Sequence, residues 1–367
     1  MDKSGPDGLG PCATIDLSAL RHNLGIVRKF SPASRIMAVI KADAYGHGML
    51  PVAKALREAD MLAVARISEG VKLRESGIDQ RIAVLEGFFE EAEIEIAVRH
   101  KLEVVIHQER QVLMLEQYER NPGQLVFWLK IDTGMHRLGV MPANASAYYQ
   151  RLSALDSCAD RPVLMTHFAN ADDEQNSYTS KQIKEFDGFS TQFKAETSLA
   201  NSAGIIAWPD SHQDWVRPGI MLYGTSPMLG KTAADHGLQP VMTLSSQLFA
   251  VNRFKKGDCV GYGSSWCCPE DMPVGVVAVG YGDGYPRHAP SGTPVLVNGQ
   301  RTQVVGRVSM DMVTVDLRGV DANEGDEVIL WGDGLPAEAI AEAAGTITYE
   351  LFCGVSSRVH YRYINGS

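Results

Sequence analysis

The sequence predicts a (β/α)8 barrel of the TIM type followed by a mostly antiparallel β domain. Three observations carry that expectation. Between residues 36 and about 225, short apolar runs alternate with amphipathic stretches. Those runs are largely Val, Ile and Leu without polar alternation, which suits parallel strands buried on both faces. After about Leu238 the texture changes to closely spaced runs separated by Gly, Pro and Asn-Gly turns.

The elements are taken in order. Ala13–Leu17 is a short β-like run ahead of the first barrel helix, and whether it pairs inside or outside the barrel stays open. Barrel strands are read at Ile36–Ile40, Leu62–Ala65, Ile82–Leu85, Val104–Ile106, Leu125–Ile131, Val163–Phe168, Ser198–Ala200 and Trp215–Arg217. Helical patterns such as Gln111–Arg120 and Lys181–Glu196 lie between them. Eight strand–helix units in this length match a closed barrel. Beyond it, Thr243–Phe254 reads as a long strand, followed by Val274–Val279, Thr293–Val297, Thr302–Val308, Met312–Leu317 and Glu327–Trp331. Asn298-Gly299 is a strong hairpin signal. Pro336–Ala344 is the one helical pattern in this half, with Gly345 as its stop. The expected domains are a barrel over 13–235 and a β domain over 236–367, after a flexible, Gly- and Pro-rich start at 1–12.

Composition narrows the function classes. At 367 residues, 45% hydrophobic and 21% charged, the chain needs neither disulfides nor a structural metal to hold a core. Its 34 basic and 44 acidic residues give a net charge of −10, so no basic surplus exists for nucleic acid and no such partner is expected. No run approaches the roughly 20 apolar residues of a membrane helix. The N-terminal residues hold no apolar signal core, so a cytoplasmic location is expected. Cys12, Cys158, Cys259, Cys267, Cys268 and Cys353 form no C-x-x-C pair, and reduced thiols are expected, with Cys267 and Cys268 exposed. No metal-ligand spacing stands out among the histidines.

The densest chemical signal is Ala38-Val39-Ile40-Lys41-Ala42-Asp43-Ala44-Tyr45-Gly46-His47-Gly48. Lys41 stands where an apolar strand ends, and in a barrel that end is the active-site face. Poor solvation there frees the neutral amine that condenses with an aldehyde. Read alone, the segment is equally a snorkelling lysine beside the loop tyrosine Tyr45, and His47 has no evident role. Ser202 and Gly219-Ile220 fall in late strand–helix connections, where barrels often bind phosphate on backbone N–H groups. Ser202 reads equally as a helix N-cap after Asn201. Lys130, inside Trp128-Leu129-Lys130-Ile131, is a buried cation that must be neutralised or paired.

The Lys41 segment resembles the pyridoxal-phosphate (PLP) lysine motif of the bacterial alanine racemases, and the resemblance runs from Thr14 to Arg362. Further segments match in order: Asp132-Thr133-Gly134-Met135-His136-Arg137-Leu138-Gly139, Thr166-His167-Phe168-Ala169, Asn201-Ser202-Ala203-Gly204 and Arg217-Pro218-Gly219-Ile220. Gly280-Tyr281-Gly282-Asp283-Gly284-Tyr285, Gly306-Arg307-Val308-Ser309-Met310-Asp311 and Tyr349-Glu350-Leu351 complete the set. The resemblance implies a PLP-dependent isomerase that interconverts L- and D-alanine, for peptidoglycan or for alanine catabolism. It implies Lys41 as the Schiff-base lysine and one acid–base group. It implies Tyr281 as the other, delivered by the β domain of a second subunit, hence a homodimer with shared active sites. His167 would contact that tyrosine and Arg217, and Arg217 would face the pyridine nitrogen. Tyr45, Asn201, Ser202, Gly219, Ile220 and Tyr349 would hold the cofactor. Arg137, Met310 and Asp311 would meet the substrate, with Lys130 carbamylated to orient Arg137. Tyr281 and Tyr349 would narrow the pocket toward small side chains. A racemase of serine or of broad specificity shares this chemistry. A PLP-carrier protein would lack the β domain, and a barrel-type PLP decarboxylase would lack the Tyr281 segment and carry an acid in place of Arg217.

Overall fold

The computed structural model describes residues 10–118 and 124–366. Most of the expected flexible start, residues 1–9, lies outside the described residues, as does Arg120 at the expected end of one helix. Strand β1 is Cys12–Asp16, and the barrel begins with β2 (Arg35–Val39), β3 (Met61–Val64), β4 (Arg81–Val84) and β5 (Glu103–Ile106). It continues with β6 (Phe127–Lys130), β7 (Val163–Met165), β8 (Thr197–Asn201) and β9 (Trp215–Arg217), all in one closed parallel barrel. Closure comes from β2 against β9, with Arg35 opposite Trp215 and Ile36 opposite Val216. Every residue of Met61–Val64 and of Glu103–Ile106 is buried, as expected of strands covered by helices outside and side chains inside.

The N-terminal end of the barrel is plugged by aromatics and ion pairs. Trp128 meets Trp215 edge-on at 5.6 Å, and the Arg35 guanidinium stacks over Trp215 at 4.1 Å. Trp128 Nε1 donates to buried Glu103 at 2.8 Å, and Arg81 grips the same carboxylate at 2.6 Å. Chemistry is therefore left to the opposite, C-terminal end.

The second half builds a mainly antiparallel sheet. Its strands are β10 (Met242–Phe254), β13 (Met272–Val277), β14 (Pro294–Val297), β15 (Gln300–Gln303), β16 (Val313–Asp316), β17 (Glu327–Trp331) and β18 (His360–Ile364), with β11 and β12 forming a separate hairpin, Cys259–Val260 and Trp266–Cys267. The Asn298-Gly299 turn has both residues in the left-handed region, at φ 50° and 74°, and joins β14 to β15 as the sequence predicts. Strand β1 lies in this sheet, antiparallel to β10 and parallel to β18. We propose a domain division near residue 236, with β1 assigned by its pairing to the second sheet. Asp16 then caps the first helix, Leu17–Phe30, accepting the Ser18 and Ala19 N–H groups.

Several expectations need correction. A second helix, Thr348–Gly354, comes after Ala337–Ala344, and its 7 residues are too few to show helical periodicity. Strand β15 ends at Gln303, and only Val304 continues as an isolated bridge to Val315. Cys259 and Cys267 stand directly opposite in the β11–β12 hairpin, 3.9 Å apart at Cα, and form a disulfide. Hairpin register, rather than C-x-x-C spacing, brings them together. Cys268 is buried among Val260, Met272, Val274 and Val305 instead of exposed. Thiol titration in denaturant is expected to count the four free cysteines Cys12, Cys158, Cys268 and Cys353 without reductant. All six in the sequence should react after reduction. A count of six beforehand would refute the hairpin disulfide.

Candidate active site at the barrel mouth

A cavity of about 1290 Å³ opens over the C-terminal ends of the barrel strands and reaches the helix Thr348–Gly354. Lys41 enters it directly after β2. The next four residues, Ala42, Asp43, Ala44 and Tyr45, all have φ between 51° and 56°, a left-handed turn built without glycine. L-residues resist this conformation by roughly 1–2 kcal/mol each. Surrounding groups hold it. The Glu69 carboxylate accepts the N–H groups of Ala42 at 2.8 Å, Ala65 at 2.8 Å and Arg66 at 3.1 Å. Asp43 accepts the Met49 N–H at 2.8 Å, and Tyr361 on β18 donates its hydroxyl to the Gly46 carbonyl at 3.0 Å. The turn sets Lys41 and Tyr45 on the cavity wall.

Burial, with Arg137 next, pulls the Lys41 amine below its ordinary pKa, and Glu86 and Glu69 oppose that shift. Lys130 at the end of β6 is buried and pulled down to about 8, by desolvation first and then by Arg217, Arg137 and Lys41. Arg217, also buried, donates to Ser198 Oγ at 2.6 Å, the Thr166 carbonyl at 2.5 Å and the Leu199 carbonyl at 3.1 Å. Its Nη2 lies 3.3 Å from His167 Nδ1. A guanidinium only donates, so Nδ1 accepts and the His167 proton sits on Nε2. Burial and then Arg217 hold His167 well below the usual histidine value, hence neutral. Burial lowers Arg217 itself only to about 10, so it stays charged.

The opposite wall is an array of donors. Asn201 is the N-cap of helix Ser202–Ala207, its Oδ1 accepting the Gly204 N–H at 2.9 Å. The cap reading therefore belongs to Asn201. Ser202 Oγ instead accepts the Gly219 N–H at 2.8 Å and the Met221 N–H at 3.4 Å, drawing that segment against the helix start. A Cβ on Gly219 would lie 2.5 Å from the Tyr45 hydroxyl, so a side chain there would push that hydroxyl out of place. Tyr45 stacks on Tyr223 at 4.7 Å and tilts against Tyr349 at 5.8 Å. Burial raises both phenols, Tyr349 to about 12, which keeps them protonated donors. Arg137 lines the cavity from a loop that Asp132 organises by accepting the Gly134 and His136 N–H groups, each at 3.0 Å.

Tyr281, Met310 and Asp311 do not line this cavity. They gather on a face of the β domain, where the Tyr281 N–H donates to the Ser309 carbonyl at 3.0 Å and Asp311 pairs with Arg358 at 2.7 Å. Tyr281 is 40% exposed and Met310 52%. Sequence reasoning passed over Tyr262, which is 69% exposed at the tip of the β11–β12 hairpin between Gly261 and Gly263. A Cβ on Gly263 would touch the Arg307 guanidinium at 3.0 Å, so a cation stands beside that tip. The signal available was a tyrosine flanked by two glycines. Glu69 was also passed over, because nothing in sequence marks a carboxylate that serves a strained turn. Among the described residues no cluster of three His, Cys, Asp or Glu side chains could hold a metal ion, and no helix is long and apolar enough to cross a membrane.

A desolvated lysine and a captive guanidinium face a donor array at the barrel mouth, the end at which barrel enzymes carry their active sites. Residues 15–227 match the family model for the alanine racemase N-terminal domain, and residues 241–363 match that for the C-terminal domain. The chain is 50% identical over 353 residues to the alanine racemase of Aeromonas hydrophila, covering 96% of this chain and 99% of that one. The biosynthetic alanine racemase of Pseudomonas aeruginosa superposes with a TM-score of 0.94 at 42% identity, over 97% and 99% of the two chains. An alanine racemase structure from Bartonella henselae, described as having covalently bound pyridoxal phosphate, superposes at 0.87 with 28% identity over 97% and 99%. The chain belongs to the alanine racemase family, isomerases that interconvert the enantiomers of alanine.

His47, pulled down to about 4 by burial, and His167, held lower than its ordinary value, make the fold acid-sensitive. The unfolded chain protonates these rings near pH 6.5, so stability is complete above that value and falls as pH drops toward the folded values. For His47 alone the loss is about 3 kcal/mol. Urea unfolding across this window, with NMR of the ring protons, checks it. A ring of either residue titrating near 6.5 in the folded protein would refute the assignment.

Proposed function

We propose that the chain racemises alanine with PLP held on Lys41, moving the α-proton between two groups on opposite faces of the cofactor. The observation that carries this reading is the Lys41–Arg217 cavity itself: a strand-end amine pulled below its ordinary pKa, facing a charged guanidinium across a donor array. The donor set fits the cofactor. Ser202 with the backbone of Gly219 and Ile220, and the protonated Tyr45 and Tyr349, would hold its phosphate, with Asn201 fixing the helix end beneath. Arg217 Nε–H, without a partner among the described residues, would meet the ring nitrogen. When bound, PLP supplies the electron-withdrawing ring that acidifies the substrate α-proton.

The chain's own residues govern the proton transfers. Arg217 donates a hydrogen bond but keeps its proton, so negative charge stays near the α-carbon and reprotonation there is favoured. Lys41 holds or releases the proton on one face. Arg137 offers a guanidinium to the substrate carboxylate, joined by Met310 and Asp311 of a second copy. His167, its Nδ1 occupied by Arg217, turns Nε2–H toward the second proton-transfer group.

That group is a tyrosine from the β domain of a second copy, which makes the working unit a homodimer with shared sites. Tyr281 is the residue the sequence nominates. Tyr262 is a second reading favoured by its protrusion, since a residue must project to enter a neighbour's cavity. Tyr281, tied to the Ser309 loop beside Met310, would then wall the pocket. A cytoplasmic enzyme serving peptidoglycan synthesis or alanine catabolism fits either assignment. Serine or broader specificity differs from this reading only in side-chain tolerance.

Chiral chromatography of L-alanine with PLP and wild-type protein should approach equal enantiomers, whereas Lys41→Ala should give none. Tyr262→Phe and Tyr281→Phe separate the two tyrosines. Loss of the proton-transfer group should lower kcat by roughly 100-fold or more, while loss of a wall residue should act mainly on KM. Unchanged L-alanine with wild type would overturn the substrate assignment.

Lys130 stands among three cations with an amine near pKa 8, so addition of carbon dioxide to its neutral form would replace a repelled cation by an anion beside Arg137. Intact mass should show one added carbon dioxide, lost on acidification and absent in Lys130→Ala. An unmodified mass in bicarbonate buffer would refute it.

A further inference from the structure

We infer that His47 is a positioning residue that fastens the left-handed turn carrying Lys41 at one end and Tyr45 at the other. The inference rests on the reading that the cavity binds PLP. His47 lies just past the turn and is completely buried. Its Nδ1 lies 2.9 Å from the Tyr45 carbonyl and 3.2 Å from the Ala44 carbonyl. Both partners only accept, so Nδ1 carries the proton and the ring is fixed in one tautomer. The Ala44 carbonyl also receives the His47 backbone N–H at 3.0 Å. The ring thus ties down the last two carbonyls of the left-handed turn.

The ring cannot rotate away. It packs at 4.6 Å on Tyr223, the same ring on which Tyr45 stacks, and at 5.0 Å edge-on to Phe352. Its other nitrogen, Nε2, is buried with no partner. An orphaned buried acceptor is unfavourable. A leucine or phenylalanine would fill this apolar slot without that penalty, so packing alone does not account for a histidine. The Nδ1–H bond to the turn does. Burial keeps the ring neutral, which leaves the tautomer intact throughout the working pH range.

The consequence runs through Tyr45. With its carbonyl pinned, its side chain is directed along Tyr223 to bring the hydroxyl against Gly219, among the amides of the donor array. His47 touches neither substrate nor cofactor; it acts through the placement of Tyr45, the end of the turn whose carbonyls it binds.

The test uses full-length wild type, His47→Leu, His47→Asn and His47→Gln, each freed of cofactor and titrated with PLP and with pyridoxal. Binding is followed by the absorbance of the lysine-bound cofactor. Asparagine places an amide N–H near the Nδ1 position, whereas glutamine carries it one methylene further out. His47→Leu and His47→Gln should bind PLP about tenfold more weakly, the scale of one positioned hydrogen bond. Pyridoxal, which lacks the phosphate, should change by no more than about twofold under the same reasoning. His47→Asn should recover most of the PLP affinity. Tyr45→Phe added to His47→Leu should cost little more than either alone, since both remove one contact. Equal losses for PLP and pyridoxal, or equal behaviour of the asparagine and leucine variants, would overturn the inference. If His47→Leu does not fold, glutamine binding PLP no more weakly than asparagine overturns it as well. Failure of wild type to bind PLP would instead refute the reading of the cavity.

Discussion

The site depends on crowding cations where water is scarce. Lys41, Lys130, Arg137 and Arg217 face one cavity in a chain whose net charge is −10. Desolvation disfavours the charge on Lys41, Lys130 and Arg217, and neighbouring cations disfavour it further on the two lysines. The structure relieves this selectively. The two lysines yield, with Lys130 falling to about 8, and His167 stays neutral, while Arg217 keeps its charge at about 10. In the proposed mechanism, the captive Arg217 guanidinium, two amines lowered in pKa and a histidine locked in one tautomer divide binding from proton transfer. The same crowding makes the cavity receptive to a phosphate and a carboxylate, because anions relieve the repulsion.

Much of the fold was legible because the barrel strands have mostly apolar centres, and all eight begin within a residue or two of the expected runs. The Asn298-Gly299 turn and the Gly345 stop were legible for a similarly local reason, since each needs a backbone few residues adopt. Strand β1 was visible, but its partners were not, because pairing between residues more than 200 apart leaves no local trace. The disulfide was missed on the same grounds: cross-strand register, and not spacing in sequence, sets Cys259 against Cys267. Within the site, Lys41, Lys130, Ser202 and Gly219-Ile220 were legible from their places at strand ends and connections, whereas Arg137, His167, Arg217 and Tyr349 came from motif resemblance. The geometry that makes them work, the left-handed turn through Ala42–Tyr45, was invisible because alanine, aspartate and tyrosine do not announce positive φ.

The two domains of one chain meet at that turn. β18 lies in the second sheet through its pairing with β1, yet its Tyr361 hydroxyl reaches the Gly46 carbonyl, and a Cβ on Gly48 would collide with the Tyr363 hydroxyl. The helix Thr348–Gly354 from the same half places Phe352 against Gly46 and Tyr349 beside Tyr45. The second half therefore serves its own barrel by bracing the lysine segment. Tyr262, Tyr281 and Met310 of the same half do not line that cavity, which is why the proposed roles assign them to the site of a second copy.

Strain and bracing explain why the lysine is not simply at the end of a relaxed loop. An isolated left-handed turn of L-residues would revert to a commoner conformation, releasing both its ends. Here Glu69 satisfies the amide at its start, His47 its carbonyls and Tyr361 its exit. Each brace comes from a different part of the chain, so the turn exists only in the completed fold. A flexible loop could present Lys41 equally well to solvent, but it would leave the separation of Lys41 from Tyr45 free to vary. Fixing that separation matches the amine at one end to the donor array at the other, and a ligand that must touch both then meets a site already set to its length.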